Sequence, residues 1–91
     1  MIEYKVISGS KFERQLKKLP KEVGSFIAEI SEAQKSNPFP EGYDLKKMKG
    51  FKNLWRVRFN TKHGSFRYVF EVNNSNKMIF QKSVVLRKDV Y

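Results

Sequence analysis

The chain has 91 residues, 40% of them hydrophobic and 14% aromatic, no cysteine, and a net charge of +10. That length suits one domain, expected to span 1–91, with enough apolar side chains for one core. The missing cysteines exclude disulfides and thiolate metal sites, and no apolar run approaches the ~20 residues of a membrane span or a signal-peptide core, so a cytoplasmic protein is expected.

Residues 1–7 (MIEYKVI) alternate apolar and polar side chains and read as a short strand. Ser10 and Glu13 have the spacing of a capping box, and Phe12, Leu16 and Leu19 then recur at helical intervals up to Pro20. Val23, Phe26, Ile27 and Ile30 form the stripe of a second helix, expected over 21–35 and stopping before Asn37-Pro38. NPFPEGYD (37–44) is a loop, and LKKMKG (45–50) reads as a basic connector. Three strands follow, over 53–60, 65–72 and 77–86, and the short turns between them make them antiparallel neighbours. The expected architecture is α+β: an N-terminal strand and a two-helix hairpin packed on one face of a small, twisted antiparallel sheet.

Charge is unevenly placed along this plan. Residues 1–44 hold seven Lys/Arg and seven Asp/Glu, whereas 45–91 hold twelve Lys/Arg and only Glu71 and Asp89. A basic excess confined to one half points to a polyanion or an acidic protein as partner. The basic residues do not follow an amphipathic helix, so a membrane surface is not expected.

Strand alternation places the charges. Trp55, Val57 and Phe59 share one face and Arg56 and Arg58 the other, while Phe66, Tyr68 and Phe70 oppose Arg67. With the aromatic faces under the helices, the three arginines emerge together on the far face. Placing Arg87 with them turns Lys82 inward, so a bulge or a strand end is expected there. Guanidinium groups gathered on one face suit phosphate, because each offers a planar fork of donors and stays charged. Lys46, Lys47, Lys49 and Lys52 enter the same neighbourhood from the connector and are expected to bind RNA.

Other chemistry is limited by what is missing. His63 is the only histidine and sits in an expected turn, which excludes a two-histidine nuclease. Glu71 and Asp89 are too few to hold catalytic metal ions in the basic half, and no cofactor site is evident. If RNA is cut here, its 2′-hydroxyl must be the nucleophile, and the protein must supply proton transfer and stabilise charge on the phosphate.

The pattern LKKMKG…LWRVRF…GSFRYVFEV…RKDVY resembles the RelE/ParE superfamily of toxins from toxin–antitoxin operons, over nearly the whole chain and on its RelE-like side. The resemblance implies the RelE fold and a ribosome-dependent mRNA endoribonuclease, neutralised by a cognate acidic antitoxin. It places the functional basic groups on Arg56, Arg58, Arg67 and Arg87 and the terminal tyrosine on Tyr91. This chain has arginines at 56 and 58 where the best-known members have lysine, and Leu86 where many relatives have histidine. Arginine stays protonated and makes a poor base, so the resemblance leaves proton transfer to Tyr91. The alternatives within the superfamily are a ParE-type gyrase inhibitor without nuclease activity and a non-catalytic RNA-binding member. The terminal Arg87 and Tyr91 favour the nuclease.

Overall fold

A computed structural model describes residues 3–86, in the order β1 (Lys5–Ser8), α1 (Ser10–Lys17), α2 (Lys21–Gln34), β2 (Asp44–Lys47), β3 (Leu54–Thr61), β4 (Gly64–Asn73) and β5 (Met78–Leu86). The five strands form one sheet ordered β1-β5-β4-β3-β2. Three of the four pairings are antiparallel, among them those of the three strands expected to be antiparallel neighbours, and β1 runs parallel to β5. The helical hairpin intervenes between β1 and the rest, and that long crossover returns the chain in a parallel sense.

The helices form where the apolar stripes require them. Phe12 and Leu16 turn inward from α1, and Val23, Ile27, Ile30 and Gln34 from α2. Pro20 separates the two, since it disfavours helical geometry at Leu19 while its own carbonyl accepts the Val23 N–H at 3.0 Å as α2 begins. The Ser10–Glu13 capping box does not form. Gly9 is the N-cap, no side chain caps the helix, and the Glu13 N–H donates to the Gly9 carbonyl, so Ser10 already lies inside the first turn.

Under the helices lies the aromatic face of the sheet. Val57, Tyr68, Phe70, Ile79 and Val84 are fully buried, and Phe26 of α2 stacks on Phe59 with ring centroids 3.8 Å apart. The loop before β2 contributes Phe39, packed 4.3 Å from the Trp55 ring. LKKMKG is not wholly a connector, because Asp44–Lys47 pairs with β3 as an edge strand. Only Leu45 within that strand turns toward the core, too short an apolar signal for its period to be read locally.

In β5 the expected bulge is present. Val69 pairs with Ser83 and Phe70 with Gln81, so Lys82 is the extra residue on its strand. Ile79 and Gln81 before the bulge and Val84 after it are therefore all buried. A polar network pins the same place: Tyr68 donates to Gln34 Oε1 at 2.9 Å, while Gln81 Nε2 donates to Tyr68 at 3.1 Å and to Ser31 Oγ at 2.7 Å. Beyond Ser8, β1 no longer flanks β5, and the Val84 N–H donates instead to Gln15 Oε1 at 2.8 Å.

Candidate nucleic-acid interface

Arg56, Arg58 and Arg67 lie on the sheet face away from the helices, on adjacent central strands. Arg58 of β3 is directly opposite Arg67 of β4, and Asp44 of β2 flanks Arg58 on its other side. The next row runs Lys46, Arg56, Val69 and Ser83. Directly opposed side chains have Cβ atoms ~4.5–5.5 Å apart, a spacing at which like charges repel. The register therefore concentrates positive charge at one point of the sheet. The Arg58 Nε is buried and meets no acceptor among the described residues, as expected of a donor kept for an anion.

This face differs from a plain solvated surface in one respect. Arg56 is only 9% exposed and its neighbour Val69 8%, so the centre of the face is as enclosed as the core. Arg58 and Arg67 are half-buried beside them. Their guanidinium groups thus sit in a medium that screens charge less than bulk water does, which strengthens any interaction with phosphate.

The four lysines separate. Lys46 stands on the arginine face beside Arg56. Lys47 pairs with Trp55 on the other face and holds its ammonium 6.0 Å from that ring, so it does not join the arginines. Period-two geometry requires this divergence of adjacent residues once the connector becomes a strand. Lys49 and Lys52 are exposed in the β2–β3 loop. Lys52 helps line a cleft of about 660 Å³ on the arginine face, together with Phe51, Leu54, Arg67, Val69 and Val85. Glu71 also borders it and is engaged by Lys82 at 3.2 Å.

Phe51 went unread in the sequence. It is 52% exposed, the exposed large hydrophobic side chain among the described residues. Gly50, at φ +84°, provides the left-handed turn that precedes it. Its signal was available: a lone aromatic in KKMKGFK that belongs to no apolar period.

Arg87 and Tyr91 lie outside the described residues. The buried tyrosine Tyr68 is on the opposite face, and burial pushes its pKa well up despite its hydrogen bonds to Gln81 and Gln34, so it stays a neutral donor. His63 is at the β3–β4 turn, 3.7 Å from Glu22 of α2 and away from the arginines. No three His, Asp or Glu side chains gather among the described residues as a metal site requires, and no described helix is long and apolar enough to cross a membrane.

The chain is 32% identical over 79 residues to a protein named toxin RelE1 from Methanocaldococcus jannaschii, covering 86% of this chain and 83% of that one. It belongs to the RelE toxin family. No family model matches the sequence, but the RelE likeness extends to structure. The RelB–RelE antitoxin–toxin complex from Methanococcus jannaschii contains a chain with TM-score 0.76 and 30% identity, covering 93% of this chain and 94% of that one. An archaeal RelE–RelB complex from Pyrococcus horikoshii gives TM-score 0.73 at 26% identity over 96% and 97% of the two chains. This RelE chain shares with them the two helices on a mostly antiparallel five-stranded sheet that the sequence led one to expect in outline.

Proposed function

We propose that this RelE chain is the toxin of a toxin–antitoxin pair and acts as a metal-independent endoribonuclease on mRNA in the ribosomal decoding site. The observation that carries the reading is the Arg58–Arg67 pair, two guanidinium groups held opposite one another on a partly enclosed sheet face. In the reaction, the 2′-oxygen of the RNA attacks the adjacent phosphorus, forming the 2′-O–P bond of a cyclic phosphate and breaking the bond to the 5′-oxygen. One proton leaves the 2′-hydroxyl and another reaches the departing 5′-oxygen. Arg58 and Arg67 stabilise the additional charge on the equatorial phosphate oxygens, while Arg56 and Lys46 steer the flanking backbone. An arginine side chain makes a poor general base. Tyr91 then carries the proton transfer, and Arg87 adds a further phosphate contact.

RelE relatives from two archaea are solved in complex with RelB antitoxins, which supports a cognate antitoxin as this protein's inhibitor. A net charge of +10 implies that the antitoxin is acidic where it covers the basic face. Few side chains on the face can read bases or move protons, so the ribosome is proposed to order the message, and free RNA should be cut poorly. Induced expression followed by primer extension on a translated message tests this. Cuts within the translated region are expected, and intact message accompanied by double-strand DNA breaks would overturn the nuclease reading.

A further inference from the structure

The β2–β3 loop presents an aromatic ring where the phosphate-binding reading has no use for one. Phe51 is half in solvent, although a phenyl ring gains from leaving water, and it lies between Lys49 and Lys52. It borders the 660 Å³ cleft whose apolar floor is Leu54, Val69 and Val85 and whose rim includes Arg67 and Lys52. That volume falls within the ~300–1,000 Å³ typical of sites for small organic groups. The carboxylate at the rim, Glu71, is neutralised by Lys82 at 3.2 Å.

We propose that Phe51 is a base-stacking residue: a nucleobase of single-stranded RNA lies against its ring over the apolar floor, and Lys52 and Arg67 meet the adjoining phosphates. This deepens the proposed function and rests on it. An aromatic ring beside a cationic groove is the combination by which proteins hold unpaired strands, since every base has a π-face and every nucleotide a charge. A protein partner is less well matched. Lysine is depleted at protein interfaces, whereas the exposed side chains flanking Phe51 are Lys49 and Lys52, which match the repeated phosphates of a strand. Stacking on Phe51 would also position the nucleotide next to the Arg58–Arg67 pair and so influence which bond is cut.

The test is fluorescence anisotropy at low salt with a labelled 2′-O-methyl hexaribonucleotide, which lacks the nucleophile and so reports binding alone. Phe51→Ala should weaken binding about tenfold, within the range of one lost stacking contact, and Phe51→Trp should restore it. The salt dependence should be unchanged in Phe51→Ala, whereas Lys52→Ala should lower its logarithmic slope by ~0.7. An abasic oligomer of the same length should bind wild-type protein about as weakly as Phe51→Ala binds the hexamer, and Phe51→Ala should weaken it no further. Wild-type affinity in Phe51→Ala together with a loss in Arg67→Ala overturns the stacking role and leaves the phosphate site standing. No binding by wild-type protein overturns the stacking inference and leaves the ribosome-dependent nuclease reading to the primer-extension experiment. Unchanged RNA binding in Phe51→Ala with lost co-purification of the antitoxin makes the ring a protein contact, and the inference fails.

Discussion

Arg67 is positioned by the burial of its two strand neighbours. Phe66 and Tyr68 on either side of it are buried at 2% and 0% exposure, so the strand cannot rotate to move the guanidinium off its face. A preorganised donor aimed at developing phosphate charge is worth on the order of 3–4 kcal/mol in the transition state. Arg67→Ala should therefore slow ribosome-programmed cleavage of a defined message about a hundred- to a thousand-fold. Arg67→Lys should recover only part of the rate, because an ammonium lacks the bidentate fork. A thermal melt on the same preparations should show little change, since removing one of two opposed like charges offsets the packing lost with the stem. Near wild-type cleavage by a normally melting Arg67→Ala protein would mean that the arginine face serves binding alone. Tyr68 poses the opposite case on the helix side. Its pKa is raised in the folded chain by burial, so the folded state holds the phenol proton more tightly than the unfolded state does. Its contribution is complete below the ordinary phenol value of about 10 and is lost as pH rises above it. Chemical denaturation between pH 9 and 11 should show a shallower alkaline fall in Tyr68→Phe than in wild type. That variant should also be less stable at pH 7, by about 1–3 kcal/mol, because Gln34 and Gln81 lose their buried partner.

At the level of elements, the bulge at Lys82 sets which residues of β5 enter the core. The Lys82 side chain is exposed and pairs with Glu71, so Lys82→Ala should cost less than ~1 kcal/mol. Deleting Lys82 should leave the fold intact and make the β4–β5 ladder regular. Without the extra residue, Ile79, Gln81 and Val84 fall on one face by plain alternation, still opposite Val72, Phe70 and Tyr68. Circular dichroism and melting of the two variants separate the roles of side chain and backbone, and an unfolded deletion variant would show that the local twist of the bulge itself holds the sheet. The β3–β4 turn is equally constrained. Gly64 has φ +125°, and a Cβ there would lie 3.0 Å from Leu86 Cδ1. Gly64→Ala should destabilise by about 1–3 kcal/mol, measured by urea denaturation.

The whole molecule is electrostatically lopsided, with its excess charge confined to residues 45–91. β3, β4, β5 and all of β2 except Asp44 fall in that half, so the fold gathers much of the excess into one sheet and its connecting loops. An acidic antitoxin should be steered toward it, and its association rate in surface plasmon measurements should fall steeply as ionic strength rises and the screening length drops below ~10 Å. A rate independent of salt would show that apolar contacts govern the encounter.

Local geometry was enough to read much of this protein from its sequence. Alternation along 54–60 and 65–72 separates arginines from aromatics because successive strand residues must point to opposite faces. The conflict of that alternation with Lys82 exposed the bulge, and Val23, Ile27 and Ile30 marked the buried stripe of α2 by helical period alone. Segments distant in sequence decided the rest. Nothing within Asp44–Lys47 specifies a strand; it becomes one because β3 offers a free edge, and only that pairing sends Lys46 toward Arg56 and Lys47 toward Trp55. The parallel seating of β1 on β5, the 9% exposure of Arg56 and the meeting of Phe51 and Arg67 in the lining of one cleft likewise depend on contacts across the fold. Period and propensity describe a residue's own strand or helix, while pairing, burial and the shape of a cleft are set by whatever the rest of the chain lays against it.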